Sequence, residues 1–88
     1  MTIFAVQRQL TGISMEDLGA AQKAAIEKSN EYTEKGVPVT YIRSNVYPKN
    51  GKCTCLFEAQ DAVAVQRLNE EASLPFDSIE EVFDLNPK

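Results

Sequence analysis

Histidine and tryptophan are both absent from the 88-residue sequence. The absence of histidine removes the usual general base near neutral pH and the commonest nitrogen ligand for metals. It also excludes catalysis of the Ser-His-Asp and Cys-His types. Any metal would need cysteine, carboxylate or backbone ligands, and we therefore expect neither a metal site nor a cofactor.

Basic residues and long apolar runs are also scarce. The chain has 9 Lys and Arg against 13 Asp and Glu, and the basic residues are scattered singly. Nucleic-acid binding needs a basic stripe to displace counterions from phosphates, so we expect no nucleic-acid partner. No run of about 18 apolar residues exists, which argues against membrane insertion. The first residues lack the basic and apolar regions of a secretion signal, and we expect a cytoplasmic protein.

The sequence has only two cysteines, Cys53 and Cys55. In an extended strand this spacing puts both side chains on one face, about 7 Å apart along the chain, which disfavours a disulfide between them. The favoured interpretation is two small core residues in a reducing compartment. A soft metal or redox site is the alternative, although closed thiolate sites usually have more than two sulfurs.

The composition that remains is that of one small globular domain. The chain is 43% hydrophobic and 25% charged, and its length leaves room for a single domain spanning residues 1–88. Because a domain of this size buries a modest core, pairing with a second copy would stabilise it.

Two helices are predicted from capping residues and helical periodicity. The first begins after Ser14, which can cap the helix, and runs to Lys35, where Gly36 ends it. Its alanines would let it lie close to a sheet. The second helix is predicted over residues 61–74 from an apolar stripe at helical spacing, with a cap at Gln60 or Asp61.

Four segments have the alternation and composition of β-strands: residues 2–10, 37–47, 52–59 and 78–85. Asn50-Gly51 predicts a turn that joins the middle two strands as a hairpin, and residues 86–88 form a tail. The resulting βαββαβ order is that of a ferredoxin-like α+β fold, a four-stranded antiparallel sheet with two helices on one face. The other face would be bare, so we expect a homodimer in which two sheets face each other.

The candidates for a ligand site are Tyr41, Arg43 and Glu58. Alternation along the second strand puts Tyr41, Arg43 and Asn45 on one face, with Glu58 and Glu81 on neighbouring strands. Arg43 would hold an anionic group of a small molecule beside Tyr41. Glu58 could instead act as a general base if it were partly buried. An ordinary cross-strand ion pair of Arg43 with Glu58 or Glu81, or a dimer contact, explains the same residues without a ligand.

Short motifs in order along the chain resemble those of a known family. They include Cys55-Leu56-Phe57-Glu58-Ala59 at the end of the third strand, and Leu74-Pro75 ahead of Asp77 and Ile79. Their order and spacing resemble a small bacterial family of unknown function that includes a nickel-binding protein from Streptomyces. The resemblance implies a ferredoxin-like fold and dimerisation.

The departures from that family concern the metal. Arg43 stands where the family has a histidine, Asn45 where it has a tyrosine, and Leu68 at a position that is often histidine. The resemblance therefore does not imply that this chain binds nickel through imidazole ligands. The sequence predicts a small dimeric ligand-binding domain with Tyr41, Arg43 and Glu58 at its site. The alternatives are a cofactor-independent isomerase or monooxygenase of the dimeric α+β barrel type, or a structural interaction module.

Overall fold

The structure, a computed structural model, describes residues 1–85. Its elements follow the predicted order: β1 (Thr2–Gln9), α1 (Met15–Glu34), β2 (Val39–Val46), β3 (Lys52–Ala59), α2 (Ala62–Glu71) and β4 (Ser78–Val82). The strands form one antiparallel sheet in the order β2-β3-β1-β4. This confirms the ferredoxin-like α+β fold. The predicted tail, residues 86–88, lies outside the described residues.

Both helices begin where the sequence predicts a cap. The Ser14 hydroxyl accepts a hydrogen bond from the Asp17 N–H at 3.1 Å, and the Asp61 carboxylate accepts one from the Ala64 N–H at 2.9 Å. The second helix is shorter than predicted and ends at Glu71. Ser73 adopts a left-handed conformation with φ of 58°, which turns the chain away from the helix axis.

The core lies between the two helices and one face of the sheet. Phe57 and Val6 on the central strands pack in one buried cluster with Val65 and Leu68 of α2 and Ala25 of α1. These residues alternate with outward-facing ones along each strand and recur at helical spacing along each helix, so burial follows the sequence periodicity. Within residues 1–85, neither helix combines the length and the hydropathy needed to cross a membrane.

The last strand ends earlier than the sequence predicts. Strand β4 stops at Val82, and the next residues do not continue the predicted alternation to residue 85. Asp84 instead reaches Arg43 on β2, at the opposite edge of the sheet, with 2.8 Å between the carboxylate Oδ1 and the guanidinium Nη2. The chain after β4 therefore crosses the sheet face that the helices leave open, and it leaves the side chains of Phe83 and Leu85 exposed.

Candidate functional site

A β-bulge in β2 separates two of the predicted site residues. Tyr41 pairs with Phe57 and Arg43 pairs with Leu56, so Ile42 is an extra residue on β2. Since Phe57 and Leu56 point to opposite faces of β3, so do Tyr41 and Arg43. The expectation that Tyr41 and Arg43 share a face was wrong, because strict alternation does not survive an inserted residue. Tyr41 faces the helices, and Arg43 lies on the open face.

Arg43 has a carboxylate partner, but it is neither of the two predicted. Its side chain binds Asp84 and is 47% exposed. Glu58 lies on the open face, where it pairs with Thr40 in the sheet register. Glu81 pairs with Phe4 and so lies on the other face. The structure therefore does not assemble Tyr41, Arg43 and Glu58 into one pocket.

A cavity of about 570 Å³ lies between the first half of α1 and the sheet. Apolar side chains form most of its wall, among them Leu10, Ile13, Leu18, Ala25, Val46 and Leu74. They come from the segment after β1, from α1, from β2 and from the loop that follows α2. The cavity is therefore on the helix side of the sheet, away from Arg43.

Small residues on α1 leave this space open. Gly19, Ala21 and Ala25 line the cavity, and a Cβ atom built on Gly19 would have no heavy atom within 4 Å. The buried residues of α1 are Ala25, Ser29 and Tyr32, all in its second half. The expectation of a helix lying close to the sheet therefore holds for the second half of α1 alone.

Polar groups are linked to one another at the sheet side of the cavity. The amide of Gln22 donates to the Tyr41 hydroxyl at 3.1 Å, and the Tyr41 and Ser44 hydroxyls are 2.5 Å apart. The Ser44 hydroxyl donates to the Cys55 sulfur at 2.9 Å. The Arg8 Nε–H donates to the same sulfur at 3.3 Å. An otherwise apolar cavity thus carries one connected group of donors and acceptors.

Arg8 is a functional candidate that the sequence patterns did not indicate. Its side chain is 6% exposed and lies beneath the cavity. Nη2 donates to the Asn69 Oδ1 at 2.7 Å, and Nη1 donates to the Pro75 carbonyl at 3.2 Å. The signal for its position was present in the sequence, because Arg8 alternates with the core residues Phe4 and Val6 along β1.

Both cysteines are buried and neither is in a disulfide. Their sulfurs are 3.8 Å apart. Burial, followed by the neighbouring Cys55, raises the pKa of the Cys53 thiol to about 11, whereas Arg8 acts to lower it. Within residues 1–85, no group of three or more His, Cys, Asp or Glu side chains is arranged to hold a metal ion.

Comparisons with known proteins agree with this architecture. Residues 4–82 match the model of the family described as "Nickel responsive protein SCO4226-like". The chain also resembles the crystal structure of SCO4226 from Streptomyces coelicolor A3(2), with a TM-score of 0.76 and 31% identity over 91% of this chain and 94% of that one. A search of curated proteins gave no significant match. On the family match and the structural similarity together, the chain belongs to the SCO4226-like family.

Proposed function

We propose that this chain is a small-molecule-binding domain whose site is the cavity between α1 and the sheet. The observation that carries the proposal is the cavity itself, about 570 Å³ with an apolar wall and a connected polar group at its sheet side. Binding sites for small molecules are typically concave, mostly apolar and about 300–1,000 Å³ in volume, with few polar groups that fix orientation. Of the three residues predicted for the site, Tyr41 lines this cavity, whereas Arg43 and Glu58 lie on the other face of the sheet.

The nickel in the family's description does not fit the residues at this site. The chain has no histidine, and the cavity offers two thiols. The guanidinium of Arg8 lies 3.3 Å from the sulfur of Cys55, and its positive charge opposes a cation there. Nickel is also held best by nitrogen or several sulfur ligands. The proposed ligand is therefore an organic molecule.

The enzyme alternative relied on Glu58 as a general base. Glu58 lies on the open face of the sheet, opposite the cavity. A general base must lie within hydrogen-bond reach of the proton that it removes, directly or through one water. A molecule in the cavity would be out of that reach, so the geometry favours binding over catalysis by Glu58.

The proposal is tested by filling the cavity from its helix side. The Ala21→Leu variant enlarges a half-buried side chain of the cavity wall, and Ala20→Leu, the same change at an exposed position of α1 outside that wall, is the control. A fluorescence titration with the neutral apolar dye phenylnaphthylamine measures binding. We expect the wild type and Ala20→Leu to bind the dye and Ala21→Leu to lose binding. Equal binding by both variants, or no binding by the wild type, would contradict the proposed site.

We also propose that two copies pair through the open face of the sheet. Phe83 and Leu85 are 85% and 89% exposed there, on either side of an aspartate that Arg43 holds in place. Exposed apolar side chains on a fixed segment favour association. Sedimentation velocity should show a dimer for the wild type and a monomer for Phe83→Asp, with Val63→Asp on α2 as the control. A monomeric wild type would exclude this pairing.

A further inference from the structure

Arg8 carries a charge that no described carboxylate balances. It is on β1, which lies inside the sheet between β3 and β4. Its side chain is 6% exposed, and within residues 1–85 no Asp or Glu oxygen lies close enough to form a salt bridge with it. Buried charges in proteins are ordinarily paired, because removal from water is costly for an isolated ion.

The hydrogen-bond partners of Arg8 are a thiol, an amide and a backbone carbonyl. Cys55, Asn69 and Pro75 each accept one hydrogen bond, one from each guanidinium nitrogen. These contacts satisfy part of the hydrogen-bonding capacity without supplying a negative charge. A guanidinium has five N–H groups, so the contacts within residues 1–85 leave one hydrogen on each of the two terminal nitrogens. The two remaining N–H groups belong to a side chain that lines the cavity.

The fixed position of this guanidinium suits recognition of a planar anion. Asn69 is fully buried, and its own amide donates to the Val65 carbonyl at 2.8 Å, which fixes the oxygen that receives the Arg8 bond. A guanidinium held in this way is preorganised, so little side-chain entropy is lost when an anion binds. In a cavity with an apolar wall, the attraction between the two charges is screened less than in water.

We infer that the ligand of the cavity is an apolar carboxylate, held by Arg8 at its charged end and by the wall formed around Leu18 and Val46 along its body. This inference rests on the proposed binding function and specifies its ligand class. One positive charge matches the single charge of a carboxylate, whereas a phosphate monoester would bring a second charge with no partner. The hydroxyls of Tyr41 and Ser44 supply further polar contacts on the same side of the cavity.

The test compares two probes of equal length and shape, decanoate and decanamide, by isothermal titration calorimetry. They differ in charge at one end, so their affinity ratio measures the contribution of the buried cation. We expect the wild type to bind decanoate roughly 10- to 100-fold more tightly than decanamide, which is the range for hydrogen bonds that involve charged groups. Arg8→Met should remove this preference while it still binds both probes, and Arg43→Met should retain the preference.

A second variant covers the case in which Arg8→Met does not fold. Arg8→Lys keeps the positive charge but loses the planar pair of N–H donors. Its affinity ratio for decanoate over decanamide should therefore be smaller than that of the wild type. Decanamide binding as tightly as decanoate to the wild type would overturn the ligand class and leave the proposed cavity site intact. Binding of neither probe would overturn both. Loss of the preference in Arg43→Met would move the anion site to the open face and overturn the inference.

Discussion

Each face of the sheet carries an arginine, and the two side chains differ in exposure and in the charge of their partners. Arg43 lies on the open face, is 47% exposed and binds the carboxylate of Asp84 at 2.8 Å. Arg8 lies on the helix side, is 6% exposed and binds neutral acceptors. The exposed cation therefore has a carboxylate partner that adds little stability, because water already solvates both charges. Within residues 1–85, the buried cation has no carboxylate partner. Of these two arginines, Arg8 is the one that we propose binds the ligand.

The difference between the faces also concerns their apolar side chains. On the helix side Phe57 is fully buried, whereas Phe83 on the segment that crosses the open face is 85% exposed. The first face packs against the helices to form the core, and it forms one wall of the cavity. The second face is the one through which we propose that two copies pair. The following predictions test these contrasts, beginning with the largest expected effect.

Truncation of the same residue type on the two faces should have very different costs. Phe57→Ala should lower the free energy of unfolding by about 3–5 kcal/mol, since it removes a buried ring and leaves a cavity. Phe83→Ala should change it by less than about 0.5 kcal/mol in the monomer, because its ring is already in water. Urea unfolding at low protein concentration measures both variants. Similar losses for the two would show that the segment after β4 is part of the core.

Removal of one hydrogen-bond acceptor should cost more stability at the buried arginine than at the exposed one. Asn69→Leu should cost about 1–3 kcal/mol, because it leaves a buried guanidinium nitrogen without its acceptor. Asp84→Ala, the control on the open face, should cost at most about 1 kcal/mol. Adding Arg8→Met to Asn69→Leu should recover part of the loss in a double-mutant cycle. Additive losses in that cycle would contradict the coupling of Arg8 to Asn69.

The smallest expected effect is on the pH dependence of stability. The pKa of Cys53 is raised to about 11 by burial, against an ordinary value of 9.0 in its unfolded state. Between these values the folded protein holds a proton that the unfolded chain loses, so stability should fall as pH rises from about 9 to 11. Burial raises the pKa of Tyr32 from 10.0 to about 12, so Tyr32 also makes stability fall over part of this range. The measurement is therefore the difference between the wild type and Cys53→Ala, and a parallel decline in both would contradict the shift.

The fold could be predicted from the sequence because its signals are local. The alternation in the strands, the Asn50-Gly51 turn and the caps at Ser14 and Asp61 each depend on residues close together in the chain. The last strand was predicted too long, because Asp84 leaves the strand and binds Arg43. Arg43 is distant in sequence, so local patterns do not indicate this contact.

The site could not be predicted in the same way. One extra residue at Ile42 reverses the side on which Arg43 lies, and the sequence does not mark this bulge. The inward position of Arg8 follows from its alternation with Phe4 and Val6. That no carboxylate of residues 1–85 pairs with it depends on the packing of every surrounding element. The cavity likewise results from how α1 is placed over the sheet.

The most direct test of the central claim is a crystal structure of the protein with decanoate. We predict electron density for the alkyl chain in the cavity under α1, with the carboxylate oxygens about 3 Å from Nη1 and Nη2 of Arg8. A carboxylate bound at Arg43 on the open face, or a cavity without density at a decanoate concentration that saturates the protein, would contradict the account.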